Sequence, residues 1–392
     1  MYRTLLCLCV IIALFSCQKD DDLESAKAFE GDLVLSTQLE VDEFIDMGFE
    51  EITGNLRIQS GPGSSPAITS LEGLSSLTQI GGSLSIFQNN SLTSLTGLEN
   101  LLSVGDNVTI SINRMLNDVQ SLNSLSFIGG EITIQINESL GDLNAFGNLT
   151  NLGGSLVINS NPRLYNINGF DKLSSISGNL KIWSNHILSD INGFANLSSI
   201  EGNLDINDNT VLPNLDAFNS LSFIEGSFIL KNNNALLNTE GLSRLSTIGK
   251  MLEITHNAAL TKLDGLNQVS TLSDFLIILS NPVLENLDGL SGLNSVGNLF
   301  VFSNEGLTSV NLPGLSTVTY QLAIQGNNAL ADLDGLSNIN YVGYGVDINN
   351  NTSLSDFCGI RALIESDFTS GYTVYDNAYN PTQDDILEGK CD

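Results

Sequence analysis

Gly178-Asn179-Leu180-Lys181-Ile182-Trp183-Ser184-Asn185-His186-Ile187-Leu188-Ser189-Asp190-Ile191-Asn192-Gly193-Phe194-Ala195-Asn196-Leu197-Ser198-Ser199-Ile200-Glu201-Gly202 is the stretch that decides the fold. Leu180 and Ile182 alternate with other residues, the period of a short strand that sends two side chains inward. After Asn185 the apolar residues Leu188, Ile191, Phe194, Leu197 and Ile200 fall at every third position. An α-helix drifts away from a strict period of three, so this run predicts extended corners and 3₁₀ turns, with one inward side chain per step. Gly178 before the strand and Gly193 in the middle are expected to supply turns that need positive φ.

The pattern recurs at Leu204, Ile206, Asn209, Leu212, Leu215, Phe218, Leu221, Ile224 and Gly226. Units open at Leu33, Leu56, Leu84, Val108, Ile132, Leu156, Leu180, Leu204, Phe228, Leu252, Leu276, Leu299, Leu322 and Val346, with a spacing of 24 through most of the chain. A period of that size, repeated so often, means a solenoid. The fold class expected is a β-rich right-handed solenoid with one long parallel sheet, 3₁₀ turns and corners, and short helical caps. At about 4.8 Å per rung, about 14 rungs run to roughly 65 Å. Ser60-Gly61-Pro62-Gly63-Ser64-Ser65-Pro66 lengthens one unit to 28 and is expected to protrude.

A column of asparagines follows the strands: Asn89, Asn113, Asn137, Asn161, Asn185, Asn209, Asn233, Asn257, Asn281, Asn304, Asn327 and Asn351. Their amides are expected to turn inward and bond backbone groups left unpaired by the bend.

Units such as Gly153-Gly154-Ser155-Leu156-Val157-Ile158 through Asn161-Pro162 resemble the receptor L-domain branch of the leucine-rich-repeat class. The resemblance covers about residues 31–355 and rests on the Gly-x-Leu-x-Ile and Leu-x-Gly-Leu blocks. It implies a fold and a binding role without naming a ligand, and the cysteine-rich modules and kinase of the animal receptors have no counterpart here.

The two ends depart from the repeat. Met1-Tyr2-Arg3-Thr4 is a short basic start, and Leu5 to Phe15 is an apolar run of about eleven residues, fitting a signal-peptide h-region. Leu14-Phe15-Ser16-Cys17 resembles a bacterial lipobox, which implies removal of residues 1–16 and lipid on Cys17. Gln18-Lys19-Asp20-Asp21-Asp22 resembles the surface-export signal of Bacteroidota lipoproteins, and 17–30 reads as an acidic tether. Residues 37–52 place Val41, Phe44 and Ile45 at helical spacing and predict an N-terminal helical cap; 356–392 form the C-terminal cap. Solenoids need such ends to cover an open core and an unpaired edge. Cys358 and Cys391 are expected to pair, closing a loop worth roughly 3–4 kcal/mol in the chain-entropy model.

Composition narrows the function. Fourteen Lys+Arg against 44 Asp+Glu give a net charge of −30, which repels phosphate backbones and excludes a nucleic-acid partner. A chain 15% charged and 42% hydrophobic is not disordered by charge repulsion. Neither G-x-S-x-G, H-E-x-x-H nor a P-loop is present, and His186 and His256 lie three rungs apart. No enzyme activity is expected, nor any cofactor. Calcium is the one metal weighed: Asp216, Glu240, Asp264 and Asp288 recur at one place in successive units, where stacked carboxylates suit either Ca²⁺ or plain solvated turns.

Alternation identifies the outward residues of the long sheet. Most are polar, such as Thr109, Ser111, Thr133, Gln135, Asp205 and Asn207. Ile277, Leu279, Phe300 and Phe302 break that pattern on adjacent strands, and the sole tryptophan, Trp183, points outward beside Lys181. These six are the candidate ligand-binding residues. The chain is therefore expected to be a monomeric, surface-exposed outer-membrane lipoprotein, held to the membrane only by its anchor. It would act as a binding protein or adhesin for a protein or glycan. The alternatives are a glycan-capture accessory of a nutrient-uptake system and a structural spacer.

Overall fold

In the computed structural model, residues 26–61, 63–366 and 368–392 are described, and the inward positions of the repeat meet in one continuous core. Strands pair in parallel and in rung order, from Leu33–Leu35 against Leu56–Ile58 to Gly345–Asn349 against Gly371–Tyr375. Like pairs with like: Leu180 lies between Leu156 and Leu204. A second set of two-residue strands, including Ser175–Ile176 and Ser199–Ile200, stacks before the corner that leads into the long sheet. The opposite side is built from 3₁₀ turns such as Asn192–Phe194 and Asp216–Phe218. The chain is a β-solenoid with one long parallel sheet, as its period predicts.

One core column is aromatic over four rungs. Phe146, Phe170, Phe194 and Phe218 are fully buried and stack with centroids 5.4, 5.6 and 5.6 Å apart. Leu122 and Leu242 fill the same place in the flanking units.

The asparagine column forms a hydrogen-bonded ladder, with all twelve side chains buried. Asn185 Oδ1 accepts from the Asn161 backbone N–H at 3.1 Å, and Asn185 Nδ2 donates to the carbonyls of Ile158 at 3.0 Å and Trp183 at 3.1 Å. The backbone N–H of Ser60 donates to Asn89 Oδ1 at 2.8 Å at one end. At the other, Asn351 N–H donates to Asn377 Oδ1 at 3.1 Å, so Asn377 adds a step that the spacing did not reveal.

Two expectations about turns are corrected. The residue just before each ladder asparagine takes the left-handed backbone, and only before Asn327 is it a glycine, Gly326: φ is 54° at Ser160, 56° at Ser184, 54° at Asp208 and 57° at His256. Gly178 and Gly193 do not have positive φ, although Gly97 and Gly265, at the place of Gly193 in other units, do at 112° and 101°. Gly178 and Gly193 are needed because rungs approach closely there: a Cβ on Gly193 would lie 2.9 Å from the Ile167 carbonyl oxygen, and one on Gly178 2.8 Å from the carbonyl carbon of Gly154. Ile112 and Ile136 hold the left-handed position at 58° and 55°, where a β-branched side chain is strained. Ile136 is 42% exposed, so replacing it forfeits little burial. Ile136→Asn is expected to raise stability by about 1 kcal/mol, read as a higher denaturation midpoint at unchanged slope.

Both ends of the solenoid extend beyond 31–355. Ala28–Phe29, assigned to the tether, pairs with Glu51–Ile52, and Phe29 packs edge-on against Phe49 at 5.5 Å. These two residues therefore belong to the solenoid and not to a tether, because their apolar side chains close the first rung. Gly371–Tyr375, assigned to the cap, is a further strand of the long sheet. The N-terminal cap helix, α1, is Gln38–Met47, shorter than 37–52. Thr37 and Glu40 form a capping box and Gly48 ends it at φ 66°. Val41 and Phe44 cover the core, whereas Ile45 is 49% exposed. At the other end α2 (Arg361–Glu365) and α3 (Gln383–Leu387) are tied by the Cys358–Cys391 disulfide, with Cα atoms 5.0 Å apart. Residues 1–16 and Cys17 lie outside the described residues, as does Pro62 of the 60–66 insertion.

Candidate functional site

The front face of the long sheet carries two outward columns. Lys181, Asp205, Ile229, Glu253, Ile277 and Phe300 follow one another across adjacent strands in the first. Trp183, Asn207, Lys231, Thr255, Leu279 and Phe302 do so in the second. The six candidate residues therefore lie on one face, in two groups separated by the strands that carry Asp205, Ile229 and Glu253.

The apolar group is contiguous. Ile277 pairs with Phe300 and Leu279 with Phe302. The Phe300 and Phe302 rings stack at 5.3 Å, and Phe275 joins them at 5.7 Å from Phe300. All five are half-buried, because each shelters its neighbour. Phe275 was missed because it sits at the corner. Elsewhere a rung turns there, but Thr271–Leu279 and Ser295–Phe302 run through as continuous strands. Two residues, Gly297-Asn298, span that corner where the preceding rung has Ser273-Asp274-Phe275, and the register shifts to absorb the difference. Alternation could also have found Arg57 over the Phe87 ring at 5.8 Å, near the N-terminal end of the same face.

The polar group surrounds Trp183. Lys181 Nζ lies 5.5 Å from the Trp183 ring centroid, a cation–π contact. Trp183 Nε1, Asp205 Oδ1, Asn207 Oδ1 and Thr255 Oγ1 are hidden and have no hydrogen-bond partner. Asp205 is only 9% exposed. Burial pushes its carboxyl above the usual range, against the pull of Lys181 and Lys231, while Glu253 and Asp208 add to the rise. Lys231 is itself engaged by Glu253 at 2.9 Å. A carboxyl raised in the folded state binds more protons folded than unfolded. Its ionisation at neutral pH therefore opposes folding, and the penalty is relieved as the pH falls through the raised value.

The acidic column occupies turns on another side of the solenoid. Asp216, Glu240 and Asp288 each open a 3₁₀ turn, and Asn214, Asn238 and Asn286 accept from their backbone N–H groups at 3.2, 3.1 and 3.1 Å. Asp264 lies between Glu240 and Asp288 in a shallow depression with Ser243 and Asn267. Among the described residues the one trio of potential ligands within 4.8 Å of each other is Cys358, Cys391 and Asp392, and its cysteines are joined to one another. The column is thus not gathered into a cation cage.

Residues 174–250 match the Receptor L domain family. That segment holds Lys181, Trp183, Asp205 and Asn207, so the polar group sits inside the matched region. Comparison with curated proteins finds no match. Among solved structures, the chain is similar to one described as the crystal structure of a TLR13–ssRNA13 complex, at 13% identity and a TM-score of 0.20, covering 86% of this chain and 79% of that one. The family match over residues 174–250 points to a ligand-binding or protein-interaction module.

Proposed function

We propose that this chain is a non-catalytic binding protein of the cell surface, lipid-anchored at Cys17 to the outer membrane, that captures a protein or glycan ligand on its front sheet face. One observation carries the reading: Phe275, Ile277, Leu279, Phe300 and Phe302 form a continuous apolar patch on a face that is otherwise largely polar. Displaying it risks aggregation, and a partner surface accounts for it. Phe302→Ser with Leu279→Ser is expected to leave folding nearly intact, because the inward Leu276, Ile278, Leu299 and Val301 are untouched. The same pair of changes is expected to abolish ligand or cell binding. Normal binding by the folded double variant would place the site elsewhere.

Anchoring is tested separately. Cys17→Ala is expected to leave an unprocessed or soluble species in detergent-phase partitioning, and partitioning like the wild type would reject the anchor.

A further inference from the structure

We infer that the partner of the front face is a basic protein segment. Its large apolar side chains cover Phe275, Ile277, Leu279, Phe300 and Phe302, and its lysines or arginines meet the carboxylates around them. This rests on the sheet-face reading above and supplies its ligand class.

The surroundings of the apolar patch select the charge. In the first outward column Glu253 precedes Ile277 and Phe300, and Ala323 and Asp347 follow them. Asp274 is exposed beside Phe275 at the corner, and Glu305 is exposed at the other end of the rung, just past the ladder residue Asn304. Lys231, Lys250 and His256 all border the patch from its N-terminal side. Glu253 engages Lys231 at 2.9 Å, the Asp274 N–H donates to the Lys250 carbonyl at 3.1 Å, and the His256 N–H donates to the Leu279 carbonyl at 3.0 Å. Beyond them the sequence holds no lysine, arginine or histidine between Lys262 and Arg361. Among the described residues, no carboxylate in that span is in an ion pair. Asp347 accepts from neutral amides instead, Gln325 Nε2 at 2.9 Å and Asn349 Nδ2 at 2.6 Å. Asp274, Glu305 and Asp347 thus leave an uncompensated negative potential around the rings.

The patch itself rules against the other occupants. Its five side chains carry no polar atom, so a sugar hydroxyl laid on them would lose its water and gain no bond in return. An acidic segment would be repelled. So would a second copy, which brings a charge of −30 and the same carboxylates. Aliphatic or aromatic side chains gain by leaving water against the patch. A lysine or arginine beside them gains from Asp274, Glu305 and Asp347, as charged rims do at interfaces with an apolar centre.

The test is selection of a random dodecapeptide display library on the whole chain. Counter-selection on the Phe302→Ser, Leu279→Ser variant removes peptides held by overall charge alone. The recovered peptides are expected to combine lysine or arginine with large apolar residues. For the tightest of them, made synthetically and titrated by fluorescence anisotropy, Asp274→Asn with Glu305→Gln and Asp347→Asn is expected to weaken binding at least tenfold. Asp216→Asn with Glu240→Gln and Asp264→Asn removes the same charge from the turn side and is expected to change binding less than twofold. Should the Asp347 change lower the Tm, Asp274→Asn with Glu305→Gln alone is expected to weaken binding at least threefold. Acidic or uncharged peptides, no recovered peptide, or equal losses in the two triple variants would overturn the basic partner. So would self-association of the chain, or binding of a neutral hexasaccharide, that the Phe302→Ser, Leu279→Ser variant removes. If the basic class falls while that double variant still loses cell binding, the face stands. If the double variant binds its cells normally, both fall.

Discussion

Asn185→Ala is expected to lower the stability of the central rungs by about 4 kcal/mol in equilibrium denaturation. The side chain holds groups from neighbouring rungs at once: its Oδ1 takes the Asn161 N–H, and its Nδ2 gives to the Ile158 and Trp183 carbonyls. All lie where water does not reach. Truncation leaves an orphaned donor and an orphaned acceptor, each costing about 1–3 kcal/mol, beyond the loss of the bonds. In a solenoid each rung contacts only its neighbours, so the damage is local before it is global. Amide exchange at Asn161 is expected to accelerate strongly while exchange at Asn89 stays near wild type. Equal acceleration at both would mean that the ladder unfolds as a single unit, and wild-type stability would mean that Asn185 is not needed to pair these groups.

Phe194→Ala is expected to cost about 3–5 kcal/mol. The ring is fully buried between Phe170 and Phe218, each 5.6 Å away, with interplanar angles of 7° and 13°. Removing it opens a void the size of a phenyl ring in a column whose neighbours are fixed to the backbone ladder and cannot collapse inward. Phe194→Leu is expected to cost only about 1 kcal/mol, because leucine already fills this column at Leu122 and Leu242. A small effect from the alanine variant would show that adjacent rungs can close the gap.

The two variants probe features of different legibility. The ladder could be read from the chain, because an asparagine that returns every 24 residues after a strand has to serve the bend. The phenylalanines could be placed inside but not recognised as a stack, since stacking depends on the rotamers that adjacent rungs share.

What the sequence determined by itself was the period, and with it the parallel sheet, the inward and outward residues, the 3₁₀ turns and the capping helix announced by the spacing of Val41, Phe44 and Ile45. All of these are local or depend on a repeat that copies one local solution. Tertiary structure decided whatever depends on how closely rungs approach. It gave Gly193 its reason, a carbonyl where a Cβ would go, and moved the left-handed backbone to the residue before each asparagine. It enlisted Ala28–Phe29 and Gly371–Tyr375 as end rungs, because an exposed sheet edge recruits the nearest chain able to pair with it. It also straightened the corner that brings Phe275 to the apolar patch, and it hid Trp183 Nε1 and Asp205 Oδ1 without partners. Alternation shows that those two side chains face outward. Only the packing of neighbouring side chains decides whether water reaches them, and that depends on distances between strands that no spacing along the chain encodes.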